Sequence, residues 1–246
     1  MKPVHTLVFA PHPDDEVIGC GRVIQQAVEA GQTVRIVFVT SGGGNPQAAS
    51  VVARKPVADL TPLDFVRLGE TREAEAFAAT RELGLGAADL VFLRYPDAGM
   101  TTMTSDVGAS ALSDVMRLVK ESWPARVYVT HQLDTHPDHR VSGELVSAAI
   151  AAARFTGELF MFIVHGGGHK NWPGSGPLFE ARTVDGVSYP IGAGWPPPIR
   201  VPMTENQAAV KLRAMKAHAS QWVTDSEFMG RFVKSEEIFW LRADSG

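Results

Sequence analysis

Residues 4–16 read VHTLVFAPHPDDE, and how this stretch is read decides the fold. VHTLVFA (4–10) is apolar and rich in β-branched side chains, the composition of a buried central strand. A dinucleotide-binding sheet would follow its first strand with a glycine-rich turn. Here the strand runs instead into Pro11, His12, Pro13, Asp14, Asp15 and Glu16, so a nucleotide-binding oxidoreductase is set aside. The three acids, crowded with a histidine into five positions, repel one another, and all four groups are costly to desolvate. Either the turn is solvated, with Pro and Asp opening the next helix, or a cation gathers the acids.

Strand and helix patterns then alternate along the chain. VIGCGRVIQQAVEA (17–30) has helical spacing and stops at Gly31, and TVRIVFVT (33–40) reads as a second strand. Residues 64–83 form an amphipathic helix, 88–94 a third strand, 105–122 a helix and 126–130 a fourth strand. A helix over 141–155 and a fifth strand over 158–164 follow. A further helix is expected over about 205–220, and EEIFWLR (236–242) as an edge strand. The rhythm predicts an α/β, Rossmann-like three-layer sandwich with a mostly parallel sheet. The expected organisation is a single domain over 1–246, with an α/β core over 1–164. Over 165–246 come a substrate-loop region, the last helix and a small β appendage. Gly, Pro and Trp dominate 165–177 and 189–202. Trp172 and Trp195 there are candidates either for stacking on a sugar or for pinning the loops. SGGGNP (41–46) lacks the Lys-Ser/Thr of a phosphate loop and is read as a flexible rim.

The bulk numbers exclude several classes. The 246 residues are 45% apolar and 20% charged, with a formal net charge of -4, which offers no sequence-blind grip on nucleic acid. No apolar run reaches the roughly 20 residues of a membrane span. The N-terminus does not read as a signal peptide, and the single cysteine, Cys20, suits a reducing cytoplasm. Homo-oligomerisation is left open.

A second cluster, Asp134-Thr135-His136-Pro137-Asp138-His139, follows the fourth strand. In open α/β sheets, ligands bind beyond the carboxyl ends of the strands. If the first and fourth strands are parallel neighbours, the two clusters face each other. His12 and Asp15, three apart at a helix start, can then meet His139. Two histidines and one carboxylate suit a catalytic zinc.

APHPDDE together with HPDH resembles the LmbE-like, or N-acetylglucosaminyl-phosphatidylinositol de-N-acetylase, family. GETREAEA (69–76), FLRYPDAG (92–99) and KAHASQ (216–221) extend the resemblance over most of the chain. It implies a zinc hydrolase that removes acetyl from an N-acetylglucosamine-type amino sugar. His12, Asp15 and His139 match the zinc ligands and Asp14 the general base. His136 matches an imidazolium that stabilises the oxyanion, with Asp138 orienting and charging it. Asp138 also reads as the N-cap of helix 141–155. Glu16 is expected to be structural, favouring the helix N-terminus. Arg72 is a candidate for sugar hydroxyls or an anionic aglycone, or else an i,i+3 partner of Glu75. Asp97 fits its turn by residue type alone, with sugar-hydroxyl binding as the functional alternative. His218 reads as a core histidine, raised to site support by KAHASQ. A zinc hydrolase of a non-sugar amide and a non-catalytic metal-binding protein remain alternatives.

Overall fold

The computed structural model describes residues 4–165 and 199–242. Five parallel strands come first: β1 (Thr6–Ala10), β2 (Val34–Thr40), β3 (Leu90–Tyr95), β4 (Arg126–Thr130) and β5 (Glu158–Phe162). β6 (Ile199–Pro202) and β7 (Glu236–Leu241) complete a seven-stranded sheet in the order β3-β2-β1-β4-β5-β7-β6. The fold is the expected α/β sandwich. β7 pairs antiparallel with both β5 and β6, so the expected edge strand is internal and β6 takes the edge. The β segment expected as an appendage therefore extends the main sheet. Trp172 and Trp195 lie outside the described residues.

Alternation along β1 builds both faces of the core. Val8 and Ala10 pack with α1 (Asp15–Glu29), α3 (Pro62–Glu82) and α6 (Glu205–Ala217). Leu7 and Phe9 pack with α4 (Ser105–Ser122) and α5 (Pro137–Ala153). All five residues of β1 are buried, as a strand covered on both faces must be. Among the described residues, no helix is long and apolar enough to cross a membrane.

Two helices depart from the pattern read in the sequence. α2 (Pro46–Ala53) begins inside the stretch read as a flexible rim. The Asn45 side chain accepts the Gln47 and Ala48 N–H groups, and Pro46 occupies the first turn, the usual place for proline. The expected terminal helix is two: α6 stops and α7 (Ala219–Gly230) starts at His218, whose ψ of 61° breaks the spiral.

The strand order reverses between β1 and β4, which are hydrogen-bonded neighbours. The carboxyl ends of these two strands therefore flank the switch-point crevice where such sheets place ligands.

Candidate active site

The turn after β1 delivers His12, Asp14 and Asp15; the turn after β4 delivers Asp134, His136, Asp138 and His139. Gly143 lets α5 approach, since a Cβ there would fall on the Thr130 carbonyl. The Thr130 hydroxyl donates to the His139 carbonyl at 2.8 Å. This close contact sets the first turn of α5 against the end of β4.

The centre of the site is a triangle. The Asp15 Oδ2 lies 3.1 Å from His12 Nδ1 and 3.2 Å from His139 Nε2, and those two nitrogens are 3.2 Å apart. Donors on a tetrahedral zinc, at bonds of about 2.1 Å, stand roughly 3.4 Å from one another. The three atoms thus have the spacing of one tetrahedral face. Their orientation also fits. His12 turns its other nitrogen, Nε2, to Asp97 at 2.9 Å and Asp138 at 3.5 Å. His139 turns Nδ1 to Asp134 at 3.1 Å. A carboxylate on the far nitrogen fixes the tautomer that leaves the near one as a lone pair, the arrangement found behind metal-ligating histidines.

Those carboxylates are themselves tied down. Asp134 accepts the Val164 and His165 N–H groups on Oδ2 and the His136 N–H on Oδ1. Asp97 accepts the Gly44 N–H on its other oxygen. Asp138 accepts from Ala98 N and Met100 N. Asp97 was read as a turn residue or a sugar contact; it does bond its own turn at Ala98 N–H, but its main partner is His12. Asp134 carried no assigned role in the sequence, although it lies five residues before His139 in the same cluster.

Electrostatics favour positive charge at the triangle. Burial alone would lower both histidines. The surrounding carboxylates (Asp138, Asp15 and Asp97) outweigh it for His12, which is held well above its ordinary range. Asp15 and Asp134 do the same for His139, pushed up to about 9. Burial would raise Asp15, but His139 and His12 hold it well below the usual carboxylate range. Two other donor groups come together nearby: His136 with His12 and His139, and Asp97 with Asp138 and His12.

Asp14 is beside the triangle, at the wall of a cavity of about 370 Å³. It precedes α1, yet its side chain makes no capping bond, so the helix-opening reading does not account for it. Its Oδ2 faces Arg72 Nη2 at 3.0 Å. Burial pushes its carboxyl up; Arg72 opposes this and Asp15 adds to it, leaving it at about 6. Arg72 is only 4% exposed. It donates to the Gly42 and Pro13 carbonyls, both at 2.7 Å, and has no pair with Glu75, which instead accepts from Ser220 N and Oγ.

His136, not Asp138, caps α5: its Nδ1 accepts the Asp138 N–H at 3.3 Å, and the helix starts at Pro137. Among the described contacts, the Asp138 carboxylate points to His12 and the 98–100 turn, so it does not orient His136. Burial, followed by the charges on His139 and His12, lowers His136. This direction runs against the imidazolium expected from the sequence, and with Nδ1 accepting the Asp138 N–H the neutral form carries its ring hydrogen on Nε2. His218 is fully buried, as a core histidine would be, and lies 2.8 Å from Glu16 Oε1. The cavity wall also includes Gln221, the last residue of KAHASQ, and His165 and Phe228, which carried no role in the sequence. The Phe228 ring stacks on His165, with centroids 5.2 Å apart.

Known proteins share this arrangement of chain. Against a glucosamine-6-phosphate deaminase-like protein of Bacteroides thetaiotaomicron, the chain is 21% identical over 98% of its own length and 39% of the relative's. Against 1D-myo-inositol 2-acetamido-2-deoxy-alpha-D-glucopyranoside deacetylase 2 of Saccharopolyspora erythraea, it is 33% identical over 58% of its length and 54% of the relative's. The chain thus spans about two-fifths to one-half of these two proteins. The N,N'-diacetylchitobiose deacetylase of Pyrococcus horikoshii superposes with a TM-score of 0.66 at 18% identity. That match covers 98% of this chain and 84% of the other, and it shows a common fold. Residues 7–150, more than half of the chain and both histidine-aspartate clusters, match the family described as PIG-L: GlcNAc-PI de-N-acetylase. This chain belongs to the PIG-L (LmbE-like) family.

Proposed function

We propose that this chain is a zinc-dependent hydrolase that removes the N-acetyl group from an amino sugar of the N-acetylglucosamine type. The observation that carries the reading is the triangle of His12 Nδ1, Asp15 Oδ2 and His139 Nε2, at 3.1–3.2 Å, beside Asp14. The cavity, at about 370 Å³, is within the usual range for a small ligand. The names of two similar proteins, an acetamido-deoxyglucopyranoside deacetylase and a diacetylchitobiose deacetylase, point to acetamido sugars.

His12, Asp15 and His139 would hold the zinc, which when bound polarises the acetyl carbonyl and lowers the pKa of water. Asp14 takes the proton of the attacking water and passes it to the leaving amine. At about 6, its carboxyl is ionised at neutral pH and basic enough to accept. Arg72 keeps that carboxylate aimed into the cavity. His136 donates Nε2–H to the oxyanion as the carbonyl carbon becomes tetrahedral.

Metal analysis and an amine-release assay test this together. Unchelated protein should carry about one zinc per chain, and His12→Ala and His139→Ala should lose it. The zinc-loaded parent should release amine from N-acetylglucosamine glycosides and not from acyl-amino acids. Full occupancy in both variants would remove the ligand assignment. Release from acyl-amino acids alone would replace the sugar reading with a non-sugar amidase.

A further inference from the structure

Asp14 has φ 140° and ψ −30°. A residue with a Cβ adopts such a backbone at an energetic cost, and keeps it only where its surroundings over-determine it. Here the Pro13–Asp14 peptide is gripped at both ends. Its carbonyl oxygen accepts from Arg72 Nη2 at 2.7 Å, and its N–H donates to Glu16 Oε2 at 2.9 Å. The other oxygen of Glu16 meets His218 Nε2 at 2.8 Å. Glu16 and His218 are both fully buried.

His218 reaches this point from the α6–α7 junction, 202 residues away along the chain. Its Nδ1 has no partner among the described residues, so Glu16 is the one polar contact described for its ring. Burying a histidine with one ring nitrogen unpartnered is costly, and the contact with Glu16 offsets only part of that cost. The neighbouring residues of the same segment reach elsewhere: Ser220 bonds Glu75 on α3, and Gln221 Oε1 accepts from Asn45 of the rim at 3.3 Å.

We propose that Glu16 and His218 form a buried positioning pair that fixes the plane of the Pro13–Asp14 peptide and so aims the Asp14 carboxylate. The inference rests on Asp14 being the base. Arg72 holds one end of the peptide and the pair holds the other. The next peptide is held too, since the Asp14 carbonyl accepts the Val17 and Ile18 N–H groups at 3.1 and 2.9 Å, and between the two fixed peptides the Asp14 side chain is aimed at Arg72 and the cavity. A pair that only tied α1 to α6 and α7 would affect stability and leave turnover per folded molecule unchanged.

The test compares the full-length, zinc-loaded parent with Glu16→Ala, Glu16→Gln and His218→Phe, using an N-acetylglucosamine glycoside. Glu16→Ala should lower kcat on the order of 10²-fold, the cost of misplacing a reacting group by about 1 Å, with KM and zinc content unchanged. Glu16→Gln keeps an oxygen for the Asp14 N–H and should recover most of the loss. His218→Phe fills its own volume, guards against a misfolded Glu16→Ala, and should fall between the two. A crystal structure of Glu16→Ala, or of His218→Phe if the first does not fold, should show Asp14 relaxed to negative φ. Parent kcat in these variants, or an Asp14 backbone unchanged in the crystal, would overturn the pairing. If the parent itself releases no amine, the deacetylase reading fails, and the crystal structure still decides whether the pair sets the backbone.

Discussion

The helix α1 touches two buried charged clusters, and they are built differently. At its amino end are His12, Asp14 and Asp15. Along its middle lie Lys211 and Glu237. Lys211 Nζ donates to the Ile18 carbonyl at 2.9 Å and to Glu237 Oε1 at 2.6 Å, and Glu237 also accepts from Arg22 N and Val23 N. That pair is one cation against one anion, with the carboxylate's partners spread around it, beside a cavity of only about 30 Å³. At the amino end the acids outnumber the fixed cations, three lone pairs converge to within 3.2 Å of one another, and the space beyond is more than ten times larger. Burial and charge are common to both clusters. Convergent lone pairs facing an open cavity belong to one.

Removing the proposed base should show the largest effect of this difference. Asp14→Asn keeps the shape and the Arg72 contact but cannot take a proton, so zinc and fold should persist while kcat falls about 10²–10⁴-fold. The parent should also lose activity as pH drops through about 6, where the Asp14 carboxylate gains a proton. A zinc-loaded Asp14→Asn enzyme working at the parent rate would dismiss Asp14 as the base.

At the other cluster the same kind of substitution should act on stability alone. Lys211→Met leaves Glu237 buried without its cation, and breaking such a pair costs about 3–5 kcal/mol. Burial already pushes the Glu237 carboxyl up, against the opposing Lys211 charge. Replacing both, as Lys211→Met with Glu237→Leu, should restore most of the loss, while kcat per folded molecule stays at the parent value in each variant. A large fall in kcat with stability intact would mean that the two clusters are coupled through α1.

His136→Ala should cost on the order of 10²–10³ in kcat, the scale of one oxyanion donor, with zinc retained. With Nδ1 occupied by the Asp138 N–H, a ring that donates from Nε2 does so while neutral. The alkaline side of the pH profile should therefore not move in Asp138→Asn. Movement of that limb to lower pH would restore the charged imidazolium expected from the sequence.

The contrast also explains what the sequence made legible. The five parallel strands and the two histidine-aspartate clusters were readable because period and spacing are local properties. The side-chain direction of Asp138 was not, since it depends on the 98–100 turn, where Ala98 takes a φ of 54° and its N–H reaches across. Asp97 was hidden for the complementary reason: its residue type already suited its turn. Arg72 looked like one half of a surface pair because α3 places Glu75 three residues on. Only the packing of α7 shows Glu75 bound to Ser220 instead. α2 was masked by three glycines ahead of an Asn-Pro start that is itself a helix-opening signal.

The smallest effect concerns the carboxylates behind the histidines. Asp97 receives His12 Nε2 at 2.9 Å while Asp134 receives His139 Nδ1 at 3.1 Å. Such partners typically contribute 10–100-fold to metal affinity. The two sites differ in redundancy. Behind His12, Asp138 is a second acceptor at 3.5 Å and can take over when Asp97 becomes Asn. Behind His139, Asp134 is the one described carboxylate on Nδ1, and its other bonds hold the Val164, His165 and His136 backbone. Asp97→Asn should therefore weaken zinc binding by about 10-fold, the low end of that range, and Asp134→Asn by more, with a drop in melting temperature. Competition with a chromogenic chelator measures both affinities on the intact chain without a substrate. Equal losses in the two variants would show that Asp138 gives His12 no reserve, and unchanged affinity in both would separate these carboxylates from the metal altogether.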